Sequence, residues 1–303
     1  MKKYLLKIVL FFALAAMMDV AFGYVFKYLR SHAKSGVTEK CEYIANRSKD
    51  DIIILGSSRA VHHYVPQVIE DSLGMSCYNC GQEGNGVVLA YGRFKMLTSR
   101  YKPKLIIYEV TPDFDYGNID PNSKYLSYLR PYYDKSEIKN IISVFDDEYS
   151  SLKMQSRMYQ NTAKILSNIR DLYGTVDKHK GYAPIYGKMS PYNSKKHTII
   201  DNYEVDSLKL SYMEKLIVEA QSMDVPLIFM VSPRYEDIDY FSACTPAMEL
   251  CQKHNVTFCN FIDCESVSKT IEYFQDNGHL NNQGAVKYSS IVIEAIRNSL
   301  ITE

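Results

Sequence analysis

Apolar residues fall into two alternating patterns along the chain. Short continuous runs come first: residues 52–55 are Ile-Ile-Ile-Leu, framed by Asp50-Asp51 and Gly56. Such a run, bounded by a charge pair and a glycine, predicts a strand buried on both faces. Comparable runs predict strands at 75–78, 104–110, 226–231 and 257–262, with Pro112 and Pro233 stopping the third and fourth. Between them, helical spacing of apolar positions predicts helices over 64–73, 87–100, 208–223 and 283–299. Strands alternating with helices predict a flavodoxin-like, three-layer α/β/α sandwich around a parallel sheet. Sites in such folds form in the loops after the carboxyl ends of the strands. Ser58, Thr111-Pro112-Asp113 and Ser232-Pro233-Arg234 all stand there.

Two segments depart from this rhythm. Residues 114–205 are rich in Tyr, Lys, Asn and Ser, with helical spacing near 137–145 and 151–172 and a polar loop over 174–196. An insertion of that length between sheet strands predicts a mainly helical lid or subdomain. At the other end, Met-Lys-Lys precedes a run from Ile8 to Phe26 with a single charge, Asp19. Nineteen helical residues just cross a hydrocarbon core of ~30 Å. The run fits a signal anchor with an exported domain. It also fits a cleaved signal peptide, with Ala21-Phe22-Gly23 supplying small residues for cleavage. Both place the protein in a cell envelope or beyond it. The expected division is 1–35 as the membrane segment and 36–303 as the α/β domain, with 114–205 inserted.

Composition narrows the classes of function. Hydrophobic residues at 46% and charged residues at 23% describe a globular chain. The 35 basic and 35 acidic residues balance, and residues 2–34 hold six of the basic ones, so the body is mildly acidic. No basic face for nucleic acid is expected. There are 26 tyrosines and no tryptophan; tyrosines suit half-wet grooves as well as cores. The seven cysteines lack histidines at zinc-finger spacing. They read as small buried residues with room for one or two disulfides, and neither metal nor cofactor is expected.

The chemistry sits in four separated blocks. The first, Leu55-Gly56-Ser57-Ser58-Arg59, follows a strand, where glycine permits a sharp turn and Ser58 opens a helix. The second is Asn79-Cys80-Gly81-Gln82-Glu83-Gly84, followed by Asn85. The third is Val110-Thr111-Pro112-Asp113, and the last is Asp276-Asn277-Gly278-His279-Leu280-Asn281-Asn282-Gln283-Gly284-Ala285. In this order they resemble the SGNH/GDSL hydrolase superfamily, in particular members beside bacterial polysaccharide assembly.

The resemblance implies Ser58 as nucleophile, His279 as its base, Asp276 as the residue that orients the imidazole, and Gly84 as an oxyanion donor. The family's third block is Gly-x-Asn-Asp. Thr111-Pro112 lacks that glycine and asparagine, and Thr111, Arg59 and Asn85 are candidate replacements. An esterase or deacetylase of an acylated envelope glycan is the implied activity. An acyltransferase using the same acyl-serine, or a non-catalytic assembly factor, are the alternatives. His62-His63 reads as the exposed start of a helix, Arg234 as a salt-bridge former or an anion ligand, and Asp113 and Asp115 as surface or sheet-end residues.

Overall fold

The computed structural model describes residues 1–117, 127–145, 150–162, 165–190, 204–235 and 239–301. Its contacts divide into two compact units, residues 1–46 with 122–177, and residues 47–121 with 178–303.

The first unit opens with helix α1 (Lys2–Ser31), which is long and apolar enough to cross a membrane. Helix α2 (Gly36–Glu42) follows, and the unit closes with short helices at Ser136–Phe145, Ser150–Lys153, Arg157–Asn161 and Ile165–Asp171. The helical stretch expected over 151–172 is therefore several pieces, with 163–164 outside the described residues. Of the polar loop expected over 174–196, residues 174–190 lack regular structure and the remainder also lies outside the described residues.

The second unit is the predicted α/β sandwich. Its strands are β1 (Ile52–Gly56), β2 (Cys77–Asn79), β3 (Leu105–Glu109), β4 (Leu227–Val231) and β5 (Thr257–Asn260), all parallel in the order β2-β1-β3-β4-β5. That is the flavodoxin-like order, with its switch point beside β1 and β3. Ile52, Ile54, Leu105, Ile107, Ile228 and Met230 pack with Ile69, Tyr288, Val292 and Ile296 from the helices on one face. The other face meets α5 (Val87–Thr98) and the helix Ser207–Ser222, which pack on each other.

Three local expectations need correcting. The helix expected over 64–73 is preceded by a separate helix, α3 (Ser58–His63), and runs as α4 (Pro66–Leu73). Pro66 holds Val65 in extended backbone and forces the break. The final helix is two, Asn282–Ile291 and Ile293–Ile301, parted where Ile291-Val292-Ile293 sets three β-branched residues in a row. The loop around His279 is a two-stranded antiparallel hairpin, β6 (Phe274–Asp276) with β7 (His279–Leu280).

Candidate active site

Gly56 ends β1 with φ of 138°, and a Cβ there would lie 2.7 Å from the Glu109 carbonyl oxygen. Only glycine lets the chain turn this close to β3 and start α3 at once. Ser58 is consequently the first residue of α3, half-buried at the carboxyl edge of the sheet.

On the far side of the sequence, Asp276 folds its own turn. Its Oδ1 accepts the N–H groups of Gly278 (2.8 Å) and His279 (2.9 Å). This Asx turn explains the Asp-x-Gly-His spacing. The same carboxylate accepts His279 Nδ1–H, with both oxygens 3.0 Å away. That fixes the proton on Nδ1 and leaves Nε2 as a lone pair, which lies 2.9 Å from Ser58 Oγ. Burial pushes the Asp276 carboxyl up, but the hydrogen bond and charge of His279 and the two N–H donors outweigh it and hold the group below the usual carboxylate range. Asn281 Oδ1 then caps the next helix at the Gly284 N–H.

The remaining sequence candidates lie around this pair in different states. The second block runs beside the end of β1, with Cys80 N–H on the Ile54 carbonyl and Gln82 N–H on that of Gly56. Gly84 sits in this loop with φ of 59°. Asn85 is buried and donates from Nδ2 to the Glu83 carbonyl at 2.8 Å. Thr111 is buried with its hydroxyl 2.7 Å from that of Ser57, directly before the serine.

Arg59 is buried beneath the site rather than facing it. Its Nε lies 3.1 Å from Glu109 Oε1, and its guanidinium also donates to the hydroxyl and carbonyl of Ser232. Arg234 lies with Cζ 4.0 Å from the Tyr240 ring centroid, and its Nη1 is 3.2 Å from where a Cβ on Gly278 would stand.

Sequence reasoning missed the polar cluster around Glu109. Its carboxylate accepts Ser232 Oγ–H (2.6 Å), the Ser232 N–H and Tyr64 O–H (2.5 Å). Burial raises the Glu109 carboxyl, though Arg59, Ser232 and Tyr64 all pull it back. Ser232 also accepts Nδ1–H of His63, whose Nε2 accepts the Leu280 N–H at 3.0 Å. The chain Glu109–Ser232–His63–Leu280 thus pins the residue after His279 to the nucleophile helix.

His62 and His63 are accordingly buried at the end of α3, not exposed at a helix start. Burial lowers both, His63 further, with the Arg59 charge adding to it. One cue was legible: Glu109 is a carboxylate closing an otherwise apolar buried strand, and such a charge requires a partner.

Asp115 corrects a second expectation, since it is fully buried. Its carboxylate accepts Tyr108 O–H (2.6 Å) and the Thr111 N–H (2.7 Å), holding the third block in place. Burial pushes it up to about 7. The native state thus keeps its proton over a range where the unfolded chain, with an ordinary Asp near 3.8, has lost it. Stability from this group is full at low pH and lost as pH rises through about 7. Asp115→Asn should therefore gain stability relative to wild type by up to ~4 kcal/mol between acid and neutral pH. Denaturation midpoints of the two proteins across that range test this, and a difference independent of pH would refute it.

Among the described residues no group of three or more His, Cys, Asp or Glu side chains is arranged to hold a metal ion. All seven cysteines are free thiols, so the expected room for disulfides is unused. Cys77, Cys80, Cys244 and Cys251 are buried, as small apolar residues should be.

No protein-family model matches the chain, and no curated protein does. Among solved structures, TesA aligns with a TM-score of 0.44 and 9% identity over 82% of this chain and 98% of its own. An acetyl xylan esterase aligns at 0.41 and 11% over 82% and 100%, and a variant of the esterase AlinE4 at 0.36 and 13% over 83% and 97%. Likenesses this distant carry no weight for function, which rests on the geometry of Ser58, His279 and Asp276.

Proposed function

We propose that this protein is a serine ester hydrolase of the SGNH type, acting through an acyl-Ser58 intermediate. The observation that carries the reading is the relay itself: Ser58 Oγ on His279 Nε2 at 2.9 Å, and His279 Nδ1 on Asp276 at 3.0 Å. In this reaction Ser58 Oγ attacks the ester carbonyl as His279 takes its proton. The oxyanion is met by the N–H groups of Ser58 and Gly84. The alkoxide leaves with the proton from His279, and water, deprotonated by the same imidazole, then releases the acid and restores Ser58.

The His279 and Asp276 side chains are 30% and 58% exposed, which leaves water a route to the acyl-enzyme. Helix α1, long and apolar enough to cross a membrane, supports a membrane-anchored placement, and the substrate we propose is an acylated envelope glycan. Incubating the chain with a fluorophosphonate tests the active serine. Stoichiometric labelling of wild type, absent in Ser58→Ala, is expected. Unlabelled wild type would favour the non-catalytic alternative, and acyl transfer to an oligosaccharide outpacing acid release would favour the transferase.

A further inference from the structure

His62 stands one helical turn after Ser58 on α3, so the two share a face. It is buried, and its ring meets that of His279 edge-on with the centroids 5.9 Å apart. Its nitrogens are engaged away from the nucleophile. Nδ1 lies 2.6 Å from the Ala183 carbonyl oxygen, and Nε2 lies 3.1 Å from Glu83 Oε1. A carbonyl and a carboxylate oxygen only accept, so both contacts hold together only when the ring carries two protons.

Those partners belong to two segments that frame the site. Ala183 lies in a strap over residues 182–189, whose Ala183 N–H bonds the Val61 carbonyl of α3 (3.1 Å). Further on, the strap reaches the segments flanking the base, through the Ile185 carbonyl to the Asn282 N–H and the Met189 N–H to the Phe274 carbonyl, both 2.7 Å. Glu83 directly precedes Gly84 in the loop after β2. Buried Arg93 grips the first part of that loop, donating to the Gly81 carbonyl (3.1 Å) and to Gln82 Oε1 (2.9 Å). Past Gln82, the Glu83 carbonyl accepts Asn85 Nδ2–H and the Glu83 carboxylate reaches His62.

We propose that His62 is a positioning residue: acting through Glu83, it ties the loop that carries Gly84 to the nucleophile helix and the strap, and so sets where the Gly84 N–H meets the oxyanion. The inference rests on the acyl-Ser58 reading, in which Gly84 is an oxyanion donor. Removing such a donor outright costs ~10²–10³ in rate, and loosening one should cost less, about tenfold.

The tie titrates. Around the ring stand Glu83 from the loop, His279 from β7 and His63 beside it in α3. Burial lowers the ring below the ordinary histidine value of 6.5; the Ala183 carbonyl and Glu83 pull it partly back, and His279 lowers it again. The second proton, and with it the bond to Glu83, is therefore gained as pH falls below 6.5 and lost as pH rises.

Steady-state hydrolysis of p-nitrophenyl acetate between about pH 5 and 8 tests this. Protonations common to two proteins cancel in the ratio of their kcat values. Wild type over Glu83→Ala should be about tenfold at the acid end and fall toward one at the other, with KM unchanged. Glu83→Gln should match wild type in acid and outpace Glu83→Ala throughout, because an amide accepts from the charged ring and donates to the neutral one. Both variants lose the same charge, so a difference between them reports the bond. The Glu83 side chain is 62% exposed, so neither change threatens the fold. In His62→Phe, which keeps a ring and loses both nitrogens, Glu83→Ala should cost nothing further. A ratio independent of pH, equal losses in the two Glu83 variants, or an additive loss in His62→Phe would overturn the tie while Ser58-dependent turnover persists. A raised KM at constant kcat would overturn it by making Glu83 a substrate contact. If wild type is no faster than Ser58→Ala, the hydrolase reading fails and this inference fails with it.

Discussion

Ser58→Ala and His279→Ala should each lower kcat for hydrolysis of an activated ester by about 10⁴-fold or more, with little change in KM. Neither side chain is needed to bind the ester in its ground state; both act on the proton that moves as the carbonyl is attacked. Because serine and histidine work as one device, the double variant should be no slower than either single. Asp276→Asn separates the parts further. An amide can still accept the Gly278 and His279 N–H groups, so the turn survives, but it no longer holds the proton on Nδ1. Its side chain is more than half exposed, so solvent partly replaces the lost charge, and a loss of about 10²–10⁴ is expected. Steady-state kinetics on the three single variants and the double variant decide this. Retention of more than about a tenth of the activity in Ser58→Ala would assign catalysis to another group.

The architecture was open to reading because its signals are local. The central strands β1, β3 and β4 each carry four or five consecutive apolar residues, the usual signature of a parallel strand buried on both faces. Ser58 and the Asp276–His279 pair were legible for a different reason. A sharp glycine turn and an Asx turn both impose spacing within a few residues, so their chemistry and backbone share one short stretch.

What stayed hidden is long-range. Nothing near His63 says that it reaches Leu280, 217 positions later, or that Arg59 turns away from the site onto Glu109. The replacement for the missing asparagine was equally illegible, because each candidate is already engaged. Arg59 is bound to Glu109 and Ser232, Thr111 to Ser57, and Asn85 to Glu83. A partner's absence from the neighbouring sequence cannot reveal where a side chain goes.

Glu109→Ala should cost the protein about 3–5 kcal/mol of stability, because it leaves the Arg59 guanidinium buried without its counter-charge. Arg59 and Glu109 are both buried, and the carboxylate also holds Tyr64 and Ser232. Glu109→Gln keeps the shape and some of the hydrogen bonds but not the charge, so it should recover only part of the loss. Arg59→Met alone strands the carboxylate and should cost a similar amount. If the pair acts as an ion pair and not as two separate packing residues, Arg59→Met with Glu109→Gln must be much less damaging than the two single losses added together. Chemical denaturation of the four proteins gives that cycle directly, and strict additivity would refute the pairing. The same cycle reaches the active site, since Arg59 follows the nucleophile in α3 and Glu109 holds Ser232, which orients His63 against the residue after His279. The single variants should therefore lose ester hydrolysis even under conditions where they remain folded. The double variant should regain stability more completely than rate, because methionine cannot restore the hydrogen bonds from Arg59 that set Ser232.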